Sequence, residues 1–315
     1  MEKILITGAG GQIGSELAGL LRTRGSADAV VVSDIRDLSE ELGGPAEVLD
    51  VLDGKRLGEL VATHRFDTIF HLAAILSATG EKNPQRCYRI NADGLFNVLE
   101  VAREYGVKKV IVPSSIAAFG PSTPDNPSEL TIQRPTTMYG VTKVFGELMA
   151  DYYFAKYGLD VRGVRYPGII SWKTEPGGGT TDYAVAVYYE ALRTGRYAYF
   201  VREDTVLPMM YMPDALKALV DLADAEGSRL RHRTYNVASM SFSASELTEA
   251  VRRQLPGFRA TYEPDQRQAI ADSWPRRLDD RAAREEWDWN PDWDIDRMSR
   301  DMVENLRAKF AAQRG

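Results

Sequence analysis

Through the first half of the chain, short apolar runs alternate with longer stretches whose apolar positions recur every three or four residues. Residues 3–7, 29–33, 66–74, 109–113 and 161–166 are of the first kind and read as strands, with a further apolar piece ending at Asp50 and Val51. Helical period runs through Leu17, Leu20 and Leu21, then over residues 91–105 and 139–157. Strands separated by helices predict parallel βαβ units, and so an α/β fold built on a doubly wound, mostly parallel sheet. The helix over 139–157 carries Val141, Val144, Phe145, Leu148, Met149, Tyr152 and Tyr153, a stripe wider than the ~100° that covers one sheet face. The helix around Leu95, Phe96, Val98 and Leu99 is as broad. Pairing with the same helices of a second copy explains this, and a second layer within the chain explains it equally well.

Past residue 170 the alternation stops. Residues 176–179 form a Pro-Gly-Gly-Gly loop, followed by a helix through Leu192, another over 214–226 and a strand over 234–238 that returns to the sheet. From Ser243 onward the pattern is helical and charged, and residues 276–281 read as a solvated face. The expected organisation is a cofactor-binding domain over 1–168, rejoined by 214–238, with a smaller discontinuous lobe from 169–213 and 239–315.

Composition narrows the function. In 315 residues, 44% are hydrophobic and 27% charged, as in a soluble globular protein. The net charge of −6 argues against nucleic-acid or anionic-membrane partners, which need basic patches. No apolar run approaches the ~20 residues of a membrane span, and the chain passes from Met1, Glu2 and Lys3 directly into a strand, leaving no room for a signal peptide. Cys87 is the only cysteine, which suits a reducing cytoplasm. His64, His71 and His232 lack ligand spacing, so a zinc-dependent reaction is not expected and no metal is assigned.

The first strand runs into Gly8-Ala9-Gly10-Gly11-Gln12-Ile13-Gly14 and then a helix. Glycines here permit a tight turn and close approach of the backbone to a pyrophosphate at the helix N-terminus. An ordinary glycine turn is the alternative, which the flanking strand and helix disfavour. Asp34, twenty residues past Gly14, suits the hydroxyls of an adenosine ribose and repels a 2′-phosphate, favouring NAD over NADP, with Arg36 as the dissenting residue. Asp50 and Val51 stand where an adenine is flanked, or where a carboxylate serves a turn. Leu72, Ala73 and Ala74 end the fourth strand with side chains that let the backbone lie against a cofactor, and His71 beside them reads as a structural histidine. The polar stretch 77–84, with Ser77 first, reads as a loop bordering a substrate.

The chemistry centres on Tyr139 and Lys143. Four residues apart on a helix, they share a face and can meet one target. A phenol has a pKa of about 10, and bringing it to near 7 takes roughly 4 kcal/mol, within reach of Lys143 plus a second cation such as an oxidised nicotinamide. Tyr105/Lys109 and Tyr152/Lys156 have the same spacing, but only Tyr139 opens a helix after a strand that ends in Ser114 and Ser115. Either serine can hydrogen-bond a reacting hydroxyl.

Together these features resemble the extended short-chain dehydrogenase/reductases, and more narrowly the short-chain type of L-threonine 3-dehydrogenase. The likeness is carried by the glycine turn, Asp34, Ser114/Ser115 and Tyr139-x-x-x-Lys143. To these it adds Arg165-Tyr-Pro-Gly-Ile-Ile-Ser171, Pro176-Gly-Gly-Gly-Thr-Thr-Asp-Tyr183 and Leu207-Pro-Met-Met-Tyr-Met-Pro-Asp-Ala-Leu216. The resemblance implies a Rossmann-like domain that binds NAD, with Tyr166 and Ile169 completing the cofactor set. It implies oxidation of L-threonine to 2-amino-3-oxobutyrate without a metal, in a homodimer. Tyr139 is then the base, Lys143 its partner on the nicotinamide ribose, and Gly179, Thr180, Thr181 and Asp182 hold the amino-acid end, unless the last three merely cap a helix. A nucleotide-sugar epimerase or dehydratase is the alternative on the same core. Such relatives carry an arginine for the nucleotide diphosphate, where this chain aligns Pro208. A non-catalytic NAD sensor is a third reading, which the intact Ser, Tyr and Lys set disfavours.

Overall fold

The computed structural model describes residues 1–177 and 179–313; Gly178, in the glycine run, and Arg314 and Gly315 lie outside the described residues. Thirteen strands occur among them: β1 (Ile4–Thr7), β2 (Val30–Asp34), β3 (Ala46–Val48), β4 (Thr68–His71), β5 (Lys109–Ile111), β6 (Ser114–Ser115), β7 (Asp160–Tyr166), β8 (Gly168–Ile170), β9 (Arg196–Tyr199), β10 (Val206–Tyr211), β11 (Thr234–Asn236), β12 (Met240–Ser243) and β13 (Arg259–Tyr262). Seven of them make a parallel sheet in the order β11-β7-β5-β4-β1-β2-β3, with β6 pairing alongside β7. The fold is therefore Rossmann-like and doubly wound. Strand order reverses between β1 and β4, and it is outside the carboxyl ends of the strands at such a point that these sheets bind ligands.

Burial follows from this topology. Strands covered on both faces must be apolar throughout, and β1, β2 and β4 are buried along nearly their whole length. One face packs under the Gln12–Arg24 and Met212–Asp224 helices, the other under Gly54–His64, Gly94–Glu104 and Met138–Tyr157. A separate core gathers Tyr183, Tyr188, Tyr199, Met209, Phe242 and Met302 around the three-stranded sheet β12-β10-β8 and the pair β13-β9.

Three expectations need correction. Ser77–Lys82 is helical rather than a loop, because its Ser77 and Gly80 pack inward and the bare Gly80 lets Cys87 Sγ come close. The end of the chain is not wholly helical, since β13 lies within it. β13 has half-exposed, alternating positions and only four residues, too weak a signal beside charged neighbours. No second layer covers the broad helical stripes: among the described residues Phe96, Val141, Leu148 and Tyr152 are exposed, Leu148 to 62%.

Candidate active site

Thr137 caps the Met138–Tyr157 helix, its side-chain oxygen accepting from Gly140 N at 3.1 Å. A Cβ at Gly140 would lie 2.2 Å from the Ala117 carbonyl, so only glycine lets this helix press against the turn that follows β6. That contact brings Tyr139 to Ser115, whose hydroxyl hydrogen-bonds the phenol. Ser115 also accepts from Ala117 N at 3.2 Å. Ser114 turns the other way and donates to Glu147, which lies two helical turns beyond Tyr139. The two serines are thus separated: Ser115 stands at the phenol, and Ser114 is committed to a buried carboxylate.

Glu147 is the centre of a network absent from the sequence reading. Arg165 on β7 donates to it through Nη2 at 2.6 Å and Nε at 2.9 Å, and Gln133 Nε2 donates at 2.7 Å. Arg165 donates further to Asn236 Oδ1 at 3.2 Å and the Glu129 carbonyl at 3.0 Å. A buried ion pair tolerates its desolvation only when such extra bonds satisfy it. The network ties the Tyr139 helix to β6, β7 and β11. Its signal was Glu147 itself, four residues past Lys143 on one face.

Burial pushes the Tyr139 phenol up to about 12, with the Ser115 hydrogen bond drawing it partly back. Lys143 is pushed down to about 8 by the same burial, opposed by the Glu147 charge. Its ammonium donates to the Pro113 carbonyl at 2.7 Å and stands 5.3 Å from the Tyr139 ring centre. In the protein without cofactor, burial rather than Lys143 sets the phenol. The phenol is surrounded by Cys87, Ala117, Ile75 and Met138, and loss of water outweighs the lysine. Moving it from about 12 to near 7 takes about 7 kcal/mol.

A cleft runs from the glycine turn to this pair. Gly8, Gly11, Gln12, Ile13, Gly14, Leu72, Ala73, Ala74, Ser77, Ser114, Ser115, Tyr139, Lys143, Tyr166, Ile169, Gly179, Thr180, Thr181 and Asp182 all line it. Asp50 and Val51 do not: exposed Asp50 accepts from Leu52 N at 2.9 Å as a turn residue, and Val51 is buried against Gly94. Asp34 is not among the lining residues either; it stands beside the glycine turn, accepting from Gly10 N at 3.0 Å, while Arg36 Nε lies 3.7 Å from it and Arg36 Nη1 3.8 Å from Glu41. His71 also faces the cleft. Its Nδ1 meets Thr7 Oγ1 at 2.8 Å and burial pushes its pKa down to about 3, leaving a neutral structural imidazole.

The glycine turn fits a dinucleotide. Gly8 has φ +69, and a Cβ there would lie 2.5 Å from Ala73 N. The Gln12–Arg24 helix opens with no side-chain cap and no acidic residue in its first turn, leaving its N–H groups and dipole for an anion. At the opposite end, Thr180 is 1% exposed and its Oγ1 has no partner. Asp182 precedes the Tyr183–Thr194 helix but makes no side-chain cap bond; its carboxylate accepts instead from Gly179 N at 2.8 Å. Side-chain capping bonds therefore do not account for Thr180 or Asp182, although a carboxylate at this N-terminus still favours the helix dipole. Asn91, Leu76 and Trp274 also line the cleft and were missed. Asn91 lies in a π-helical turn (Arg89–Asp93), a distortion frequent at functional sites that no hydrophobic period reveals. Among the described residues no cluster of histidine, cysteine or carboxylate side chains could hold a metal ion.

Residues 4–238 match the NAD dependent epimerase/dehydratase family. An uncharacterized epimerase/dehydratase of Staphylococcus saprophyticus is 49% identical, with 99% of each chain covered. The mitochondrial L-threonine 3-dehydrogenase of Bos taurus is also 49% identical, over 93% of this chain and 80% of that one. Among solved structures, L-threonine dehydrogenase from Clostridium difficile superposes with a TM-score of 0.95 at 49% identity, covering 98% of both chains.

Proposed function

Since the chain belongs to the NAD-dependent epimerase/dehydratase family, we propose that it oxidises the 3-hydroxyl of L-threonine with NAD, giving 2-amino-3-oxobutyrate and NADH. The observation that carries this is the cleft itself, with an uncapped glycine-turn helix at one end, Tyr139 beside Ser115 in the middle and the orphaned Thr180 hydroxyl at the other. Gly8, Gly11, Gln12, Ile13 and Gly14 would hold the pyrophosphate, Asp34 the adenosine ribose, and Leu72, Ala73, Ala74, Tyr166 and Ile169 the remaining walls. Bound there, NAD supplies the hydride acceptor and, in its oxidised form, a positive charge beside the phenol.

Ser115 orients the threonine hydroxyl, and Tyr139 takes its proton. Lys143 is fixed by the Pro113 carbonyl with an ammonium to spare for a ribose hydroxyl. Thr180 and Thr181 take the substrate carboxylate and Asp182 the ammonium, with Ser77 bordering the same space. Incubating the pure protein with NAD and L-threonine tests the reading by the appearance of NADH at 340 nm (roughly its absorption maximum); no NADH would remove it. Pro208 lies within β10 between buried Leu207 and Met209 and offers a nucleotide sugar no cation.

Cofactor choice rests on Asp34. Its carboxylate both excludes a 2′-phosphate and occupies Arg36, so Asp34→Ala removes a repulsion and frees a cation at once. The ratio of kcat/KM for NAD over NADP is expected to fall at least about tenfold, equivalent to about 1.4 kcal/mol. Equal use of both cofactors by the wild type would make Arg36 the governing residue instead.

The protein works as a homodimer in this reading, with a reducing cytoplasm suited to its one free, buried cysteine. Val141, Leu148 and Tyr152 share one helical stripe and are exposed, as is Phe96 on the Gly94–Glu104 helix. An exposed apolar stripe of this kind is suited to an interface. Light scattering should give twice the chain mass, and Leu148→Arg should give one chain mass.

A further inference from the structure

Within the second piece of the lobe, residues 239–313, one side chain among those described reaches the cleft, Trp274. It stands in a polar stretch between Ser273 and Pro275, away from every motif the sequence reading used. The half-buried indole packs on both sides of the reaction centre. It contacts the group formed by Cys87, Ala117 and Tyr139, and the one formed by Ile116, Phe119 and Leu278. It also borders the core of the lobe.

The backbone around Trp274 is fastened at each side. Trp274 N donates to the Ala271 carbonyl at 3.2 Å, and Ser273 N to that of Ile270 at 3.1 Å. Arg202 holds Asp272 through Nη2 at 2.8 Å. Beyond Pro275, which itself restricts the backbone of the residue before it, Arg277 N donates to Asp125 O at 2.9 Å and Asp279 N to Pro127 O at 3.1 Å. The backbone that carries the indole is thus held on both sides, and the indole packs against three groups of buried side chains.

This inference rests on the threonine reading above. In that reading the hydroxyl goes to Ser115 and Tyr139, and the charged end to residues 179–182. One group of the substrate is left without a partner, the methyl on the reacting carbon. It needs an apolar surface next to the phenol; of the other large apolar side chains that line this end, Leu76 is more than half exposed and Ile116 is buried against Phe119 and Leu278. We propose that Trp274 is the residue that sets which substituent the reacting carbon carries, its indole accepting a methyl and blocking longer or branched chains.

A single methyl in an apolar pocket is worth about 10–200-fold in kcat/KM. The wild type should therefore prefer L-threonine over L-serine by about that factor. In Trp274→Ala the preference should drop to within about threefold of unity, and 3-hydroxynorvaline, one methylene longer, should gain on threonine. Trp274→Phe keeps an aromatic wall but a shallower one, so it should hold the preference over serine while admitting 3-hydroxynorvaline. NAD affinity, read by titration of protein fluorescence, should be unchanged in both, which a general loss of structure would not allow. A threonine-to-serine ratio unchanged in a Trp274→Ala protein that still binds NAD would overturn the inference alone. Should that variant fail to fold, an unchanged 3-hydroxynorvaline-to-threonine ratio in Trp274→Phe would do the same. A wild type inert toward L-threonine would fell the threonine reading and this inference with it.

Discussion

Replacing Tyr139 by phenylalanine should reduce kcat by about 10²–10⁴-fold, the usual worth of a general base, and leave the Kd for NAD nearly unchanged. The phenylalanine ring still fills the space among Cys87, Ala117, Ile75 and Met138, so the helix and the cleft wall stay in place. Only the hydroxyl beside Ser115 is lost. The size of the effect follows from how the phenol is held. Burial puts it near 12, so at neutral pH it is protonated until a positive charge is set beside it. In the proposed mechanism the base would thereby be tied to the bound, oxidised cofactor, with the phenol of the free protein remaining protonated. Initial rates of NADH formation and a fluorescence titration with NAD measure the two quantities separately. Activity above a tenth of wild type would remove Tyr139 from the role.

How far the chain could be read in advance depends on the range of the interactions involved. The glycine turn, β2 ending at Asp34, the serines after β5 and the Tyr139 helix are local features, each set by a few consecutive residues, and they stand in the structure at the expected positions. The strands β9, β10, β12 and β13 were not read, because they are short and pair with segments far away in the chain. Ser114 and Ser115 were indistinguishable in sequence. What separates them is Glu147, 33 residues away, which takes Ser114 and leaves Ser115 for the phenol. The spacing of Tyr139 and Lys143 is visible in the sequence, but the burial that dominates both is not, since it depends on segments distant in the chain, among them Cys87 and Ala117 beside the phenol.

The segment proposed to recognise the amino-acid end, residues 179–182, carries the largest expected discrimination. A site built to bond a polar group rejects an analogue lacking it by about 10⁴–10⁵, because its own buried groups are left without partners. 3-Hydroxybutyrate keeps the carboxylate and the reacting hydroxyl but lacks the ammonium that the proposed reading sets against the half-buried Asp182, so its kcat/KM should lie at least about 100-fold below that of L-threonine. The carboxylate half is tested at Thr180. Its hydroxyl is buried and unpartnered in the protein alone, a state that costs about 1–3 kcal/mol. Thr180→Val removes the hydroxyl at nearly constant shape. The variant should therefore be at least as stable as the wild type to heat, while its KM for L-threonine rises about 10-fold to 100-fold and its affinity for NAD is kept. A residue kept for packing alone would behave otherwise, losing stability or leaving KM untouched. Oxidation of 3-hydroxybutyrate as fast as L-threonine would show that residues 179–182 do not read the charged end, whatever Tyr139 does.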